Sequence, residues 1–424
     1  MTTLSLFARL LECLHEKVHS EEFLEEFRIQ GHFVRKRCLS MYHMVMFLLF
    51  HSKATIDSKL DLCTDLFPQL NIPKVSKQAI SKARYGISHL LFKELFQLSV
   101  DYYYKNIGTR KRWKSRYHLF AIDGSDLEAP SSESAFRIFG KNTDKKNPDY
   151  SWSMALASTL YDILEDIVVD ASLQAQFAGE REAAVRHLAR LKDLKIDKNA
   201  IVILDRGYYS ADLFLECVNT GCKCLMRLKS SYKICNTNQD DAFHMITVPG
   251  KKKIKCRVLR VTLSTGENEY LITNVFDKDI SCDDFRDLYF ERWKIEEKYL
   301  EIKEFWKIEE FTGTGVLAVC QDFFITMLHV NMAGILRAEA DRIIEETTDS
   351  KNVYKYRARR SYAMRKVQLQ FIRWLMDPPS EAALQKVAVD LAQKKSQVRP
   401  GRTRDRSNHR DRAKKHYNNR KTTF

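Results

Sequence analysis

The ten cysteines of this 424-residue chain lack a paired framework. Cys222 and Cys224 stand one residue apart, and no second pair or histidine lies at zinc-finger spacing. A disulfide scaffold and a zinc ribbon are therefore excluded, and reduced thiols in a cytosolic protein are expected. Long apolar runs are missing too. The most apolar stretch, 39–50, is interrupted by Ser40 and His43 and is too short for a bilayer. The N-terminus lacks a signal peptide's basic start, apolar stretch and small-residue cleavage site, so a soluble, intracellular protein with no membrane partner is expected. There is no internal repeat.

What is present is length, apolar content and positive charge. A chain of 424 residues is too long for one compact domain, and 44% hydrophobic residues are enough to fill real cores. Lysine and arginine number 70 against 55 acids, a formal charge of +15 that points to a polyanionic partner, with nucleic acid the commonest. The surplus is uneven: 393–424 holds twelve basic and two acidic residues, so this segment supplies +10 and the remainder only +5. Such a run is either a solvated, unstructured tail or an arm for phosphates.

The pattern along the chain is helical first. Residues 1–108 read as a helical N-terminal region in which Ser40 caps a buried helix through 41–50. Asn71-Ile72-Pro73 breaks the chain, and Ser76 caps a short helix presenting Lys77, Gln78, Ser81, Lys82 and Arg84. That helix suits a DNA groove or its phosphates, and equally an ordinary basic surface face. After a basic connector, 117–122 is an apolar strand ending at Asp123-Gly124-Ser125. Strands at 152–160 and 163–171 follow, then a helix at 180–191 and a buried strand at 200–204 that ends at Asp205-Arg206-Gly207. A helix at 211–219 and a strand at 223–228 complete a mixed α/β pattern over 109–229. In 230–282, Lys253-Ile254-Lys255-Cys256-Arg257-Val258 alternates basic and apolar side chains, a half-buried strand with a cationic face, and 269–276 reads as its neighbour. This is taken as a β insertion. The helical period returns over 283–312. The region 313–392 is helical, with 316–346 read as a core helix pair, and 355–366 carries six basic residues in twelve. The segment 393–424 closes the chain.

Two aspartates each follow an apolar strand and precede a glycine or Arg-Gly. Reactive groups gather at the carboxyl ends of strands in open α/β sheets, so Asp123 and Asp205 have reason to meet, although Asp-Gly after a strand is also an ordinary turn. On the expected helix beyond the insertion, Tyr289, Arg292, Glu296 and Lys303 fall within a sector of roughly 60°, at about 100° per residue. This is a stripe of one hydroxyl, two cations and a carboxylate, or a surface helix with an Arg292–Glu296 pair.

The blocks FAIDGS, ILDRGYYS and YFERWKIEEKYLEIK resemble the signature blocks of the D-D-E insertion-sequence transposases, in the group named after the fourth insertion sequence. Its hallmark, Y-x2-R-x3-E-x6-K, is matched by Tyr289, Arg292, Glu296 and Lys303. The resemblance covers about 119–313, with separations of 82 and 91 residues between the three acids. It implies a ribonuclease-H-like mixed sheet interrupted by a β insertion, and a triad of Asp123, Asp205 and Glu296 holding two Mg2+ ions, with Mn2+ as substitute, for cleavage and strand transfer at phosphorus. It further implies Tyr289, Arg292 and Lys303 on DNA phosphates, and a homodimer that pairs both transposon ends before cutting double-stranded DNA. The expected setting is the bacterial cytoplasm, at the nucleoid. The apolar residues of 316–346 and 367–391 are candidate dimer surfaces, with packing inside one chain the simpler account of most of them. Tyr270 is a further DNA contact by stacking, or a packed strand aromatic, and Arg206 either contacts DNA or pairs with a carboxylate. Lys253, Lys255 and Arg257 complete the expected cationic face. The alternatives are a stand-alone metal-dependent nuclease on the same core, and a DNA-binding relative without catalysis, which would have lost a triad acid.

Overall fold

The computed structural model describes residues 2–34, 39–236, 239–248, 250, 253–263, 266–348 and 353–398. The chain opens with α1 (Thr3–His19), α2 (Glu21–Glu26), α3 (Met41–Leu49), α4 (Ile56–Leu66), α5 (Lys77–Arg84) and α6 (His89–Asn106). The first five begin at Thr2, Ser20, Ser40, Thr55 and Ser76, whose hydroxyls accept an otherwise unpaired backbone N–H of the first turn. The middle of the chain runs β1 (His118–Ala129), α7 (Glu133–Phe139), β2 (Asn142–Thr143), β3 (Ser151–Asp162), β4 (Ile167–Ala175), α8 (Glu180–Asp193), β5 (Ala200–Leu204), α9 (Ala211–Asn219) and β6 (Lys223–Leu228). There follow β7 (Asp241–Thr247), β8 (Lys253–Thr262), β9 (Asn268–Thr273), α10 (Cys282–Phe290), α11 (Trp293–Glu304) and α12 (Val316–Thr347). The end of the described chain is β10 (Lys355–Ala358), α13 (Arg360–Met376), α14 (Glu381–Gln393) and β11 (Lys395–Val398).

These elements form two compact units, one of Met1–Asn106, Glu128–Met154 and Ile302–Phe424, the other of Ile107–Leu127 and Ala155–Glu301. The helical N-terminal and C-terminal regions, expected apart, thus belong to one unit. Its centre is α12, packed by α1, α6, α13 and α14. A pair of helices was expected there, but 32 residues run as one. A helix surrounded by others can be apolar all round and needs no break to hide a face. By length and composition it could cross a membrane, yet 83% of its apolar window is buried inside the fold. The same packing accounts for the apolar side chains of 316–346 and 367–391 expected at a dimer surface: Phe323, Met327, Leu336, Val367, Phe371 and Leu384 lie in this core.

The second unit is built on a mixed sheet in the order β4-β3-β1-β5-β6-β9-β8-β7. The segment β1-β5-β6 is parallel and β3-β4 antiparallel, the ribonuclease-H-like arrangement. Strand β5 is buried throughout, as expected of a central parallel strand. The strands of the expected insertion do not form a separate layer: β9, β8 and β7 extend the sheet antiparallel beyond β6. Strand β1 also continues past Asp123 to Ala129, where a turn was expected, with Leu127 and Ala129 alternately buried. At the other end of the chain, Lys395–Val398 pairs antiparallel with Lys355–Ala358, so the expected unstructured segment begins as a strand. The remainder of that segment, 399–424, lies outside the described residues.

Candidate active site

The register of β1 on β5 decides where the two aspartates stand. His118 is opposite Ala200, and each following pair keeps the same offset up to Ile122 opposite Leu204. Asp123, still within β1, and Asp205, directly after the end of β5, are the next residues. Their separation in sequence equals the register offset, so parallel hydrogen bonding sets the two carboxylates side by side at the carboxyl end of the sheet.

The third carboxylate arrives from a break in a helix. The segment 283–305, expected as one helix, is two: α10 ends at Phe290 and α11 starts at Trp293. Glu291 and Arg292 form the turn between them, their N–H groups bonding back three residues to Leu288 and Tyr289. The stripe calculated for one straight helix is therefore interrupted between Phe290 and Trp293. The break has its own effect. Tyr289, in the last turn of α10, donates its hydroxyl to Asp205 Oδ1 at 2.9 Å. Arg292, 6% exposed, bonds Glu296 Oε1 at 2.8 Å and lies 3.6 Å from Asp123 Oδ2. One turn beyond Glu296, the buried Tyr299 hydroxyl reaches the main-chain oxygens of Asp123 and Ala157, each at 3.0 Å, pinning α11 onto β1 and β3.

The electrostatics follow from burial among like charges. Asp123 is pushed up to about 7, first by burial and then by Glu296 and Asp205, against the pull of Arg292 and the Gly124 N–H. Asp205 feels burial as well, but the Arg206 N–H, the Tyr289 hydroxyl and the guanidinium groups of Arg292 and Arg227 outweigh it and hold the carboxyl below its ordinary value. Two neighbouring aspartates are thus driven apart in acidity.

Side chains absent from the sequence-based set also stand here. Glu180, the first residue of α8, has its carboxylate 3.0 Å from where a Gly124 Cβ would be, so glycine after Asp123 leaves room for a fourth acid. Partial burial, Asp126 and Asp205 raise its pKa. The Tyr208 hydroxyl is buried without a partner among the described residues and feels Asp123 and Glu180. Neither residue had a signal in the sequence beyond its place at the start of a helix or after a strand.

Other expected contacts divide sharply. Arg257 is buried and engaged by both oxygens of Asp241 and by the carbonyls of Asp277 and Ile280. Arg84 is bound in the helical unit by Asp322, Gln321, Thr312 and the Ala318 carbonyl. Each is buried on a carboxylate, Asp322 238 residues from Arg84 and Asp241 16 residues from Arg257, so neither guanidinium is presented at the surface for DNA. Arg206, Lys253, Lys255, Lys77, Gln78 and Lys82 are exposed, while Ser81 is half-buried. Lys255 packs its ammonium over the exposed rings of Phe243 and Phe276. Tyr270 is half-buried opposite Leu228, at the carboxyl end of β6. Lys303, in the last turn of α11, belongs to the helical unit and lies 3.9 Å from Glu309.

The donor set is that of a hard divalent cation, carboxylates and nothing softer. Among the described residues no three such groups are gathered closely enough to hold an ion, and the Arg292 guanidinium bridges Asp123 and Glu296. The chemistry of the donors fits a cation, and Arg292 supplies the positive charge in the meantime. Its buried Nε–H has no partner among the described residues.

No curated protein matches the chain. Among solved structures, a cryo-EM structure of a piggyBac transposase synaptic complex with hairpin DNA is similar over 95% of this chain and 86% of that one, at 10% identity and a TM-score of 0.45. The family model described as the transposase DDE domain matches residues 114–332, more than half of the chain and all of the segment bearing the three acids. With aspartates paired by sheet register and a glutamate brought to them by a helix, the chain belongs to the transposase DDE domain family.

Proposed function

We propose that this protein binds the terminal inverted repeats of an insertion sequence and moves the element by cut-and-paste transposition, with Asp123, Asp205 and Glu296 as its catalytic acids. The observation that carries the reading is the β1–β5 register, whose last pair, Ile122 with Leu204, directly precedes Asp123 and Asp205, with Glu296 linked to Asp123 through Arg292. The match to the insertion-sequence hallmark at Tyr289, Arg292, Glu296 and Lys303 supports the finer assignment.

Magnesium ions held by the three carboxylates would supply activation of the attacking oxygen and stabilisation of the leaving one in an in-line displacement at phosphorus. The protein's own groups do the rest. Tyr289 fixes one oxygen of Asp205 and keeps that carboxylate ionised. Tyr299 holds the β1 main chain at Asp123. Asp123 keeps its proton up to about pH 7 and must release it to act as a ligand. Arg292 has a fork that suits phosphate oxygens, and one N–H is open for them. Because it also touches two of the acids, Arg292 acts on metal and phosphate together. Lys303 is proposed to meet a phosphate further along the DNA. The exposed Arg206, Lys253, Lys255 and Tyr270, and Lys77, Gln78 and Lys82 on α5, are proposed as further DNA contacts. Double-stranded DNA and a second copy of the chain are the proposed partners.

The test uses purified protein, a plasmid carrying the element's ends, and magnesium. Excision and strand transfer are expected from the wild type. Asp123→Asn, Asp205→Asn and Glu296→Gln are each expected to abolish cleavage while retaining repeat binding. Near-wild-type cleavage by any of the three removes that residue from the catalytic set, and cleavage without strand transfer favours a stand-alone nuclease.

A further inference from the structure

The helical unit contains a cavity of about 420 Å³ that lies between α3, α4, α5 and the 311–314 segment. Phe47, Ile56, Ile80 and Phe311 form an apolar wall, while Ser81 and Thr314 add hydroxyls. Tyr85, Thr312 and Arg84, already paired with Asp322, line it too, and the last polar group is unusual. Lys59 lines the cavity, is 4% exposed, and has no carboxylate within ion-pair distance among the described residues. Its ammonium is instead 4.6 Å from the centre of the Phe47 ring and 5.9 Å from that of Phe50.

The charge around Lys59 is unbalanced. The acid that faces it, Asp322 on α12, already accepts from Arg84 and from the Thr312 N–H and hydroxyl. Arg84 on α5 and Lys53 before α4 add positive charge, and Cys63 lies on its own helix. His51 and His329, which also sense Lys59, are held neutral by burial. Lys59 and Arg84 thus share the one carboxylate of Asp322, which is already engaged by Arg84 and Thr312. A buried ammonium without a counterion is costly, and an anion entering the cavity would relieve that cost.

We propose that this cavity is a binding site for an amphipathic organic anion, its acidic group on Lys59 and its apolar body along Phe47, Ile80 and Phe311. The volume is that of a pocket for a small molecule rather than for a lone inorganic ion. The site is separate from the carboxylates of the sheet and does not rest on their assignment.

Protonation gives the site a signature. Burial lowers Lys59 to about 7, and an anion binds only the charged form. Affinity is therefore full below pH 7 and falls as pH rises, by about tenfold per unit until the pKa of the occupied state is reached.

The experiment uses the full chain and 8-anilinonaphthalene-1-sulfonate, an aromatic sulfonate whose fluorescence reports apolar burial. One saturable site per chain is expected at pH 6, at least fivefold weaker at pH 8.5. Lys59→Met should lose at least tenfold in affinity at pH 6. Lys59→Arg should bind at pH 6 and hold that affinity to pH 8.5, since arginine stays charged. If Lys59→Met does not fold by circular dichroism, the arginine variant still decides. Wild-type binding that ignores pH, or the same fall with pH in Lys59→Arg, would overturn the proposal, as would full binding by a folded Lys59→Met.

Discussion

Replacing Asp123 by asparagine is expected to stabilise the metal-free protein while destroying its chemistry. Below about pH 4 the carboxyl is protonated in both the folded and unfolded chain and contributes nothing. Above the ordinary value of 3.8 the unfolded chain releases the proton, whereas the native one keeps it to about 7, so folding stability falls through that window and levels off above it. The Asp123 side chain is 20% exposed, so solvent relieves little of this. Three units at 1.36 kcal/mol each give about 4 kcal/mol at the plateau. Asparagine has no proton to exchange, so the variant gains on the wild type by about 3–4 kcal/mol between pH 4 and pH 8. Urea denaturation of both proteins in EDTA at four or five pH values measures the gap. Comparison across pH cancels any constant effect of the amide itself. Millimolar magnesium should narrow the gap at pH 8 by stabilising only the wild type. A gap in EDTA that stays constant to within about 0.5 kcal/mol from pH 4 to pH 8 refutes the reasoning, since Asp123 would then already be ionised at low pH.

Tyr289→Phe removes the hydrogen bond to Asp205 and should raise that carboxyl's pKa, read by NMR titration of the Asp205 carboxyl in the metal-free protein; an unmoved titration would detach Tyr289 from that carboxylate. Arg84→Met leaves Asp322 buried without its partner and should cost about 3–5 kcal/mol in urea unfolding, with Arg84→Met/Asp322→Leu recovering most of it. A loss under about 1 kcal/mol would show that the pair is not structural. Truncation after Val398 spares β11 and removes the basic segment, so the slope of log affinity against log salt should flatten by roughly 0.9 for each phosphate no longer neutralised, equally on repeat and random duplexes. Selective loss of repeat binding would instead move recognition into that segment.

The aspartates were legible because an apolar run ending in an acid is a local pattern, and the sheet register then completed it. The helix break was not. Phe290-Glu291-Arg292-Trp293 contains neither glycine nor proline, and every residue in it tolerates a helix. At the break Arg292 is drawn down to Asp123 of β1 and to Glu296 of α11, a tertiary fact. Arg84 and Arg257 mislead in the same direction. Their spacing is that of exposed cations, but Asp322 lies 238 residues from the first, and Asp241 reaches the second only across the β7–β8 ladder. Glu180 is hidden for the complementary reason: the missing side chain of Gly124 leaves the room its carboxylate occupies.

The pairing of β1 with β5 gives the two aspartates different freedom from the glutamate. A residue flanked by ladder hydrogen bonds cannot move along its strand without breaking the whole register, and a one-residue slip would turn Asp123 to the opposite face. Glu296 is held by a helix that begins at a two-residue turn, with its own side chain 39% exposed. A rearrangement that draws Glu296 toward Asp123 is therefore expected from the side of α11, against an aspartate held within its strand. Loops between β1 and β5 can be lengthened without disturbing the fixed pair, since hydrogen bonds rather than chain length hold it. The linkage at Glu291-Arg292 is where a change of even one residue would alter the grip.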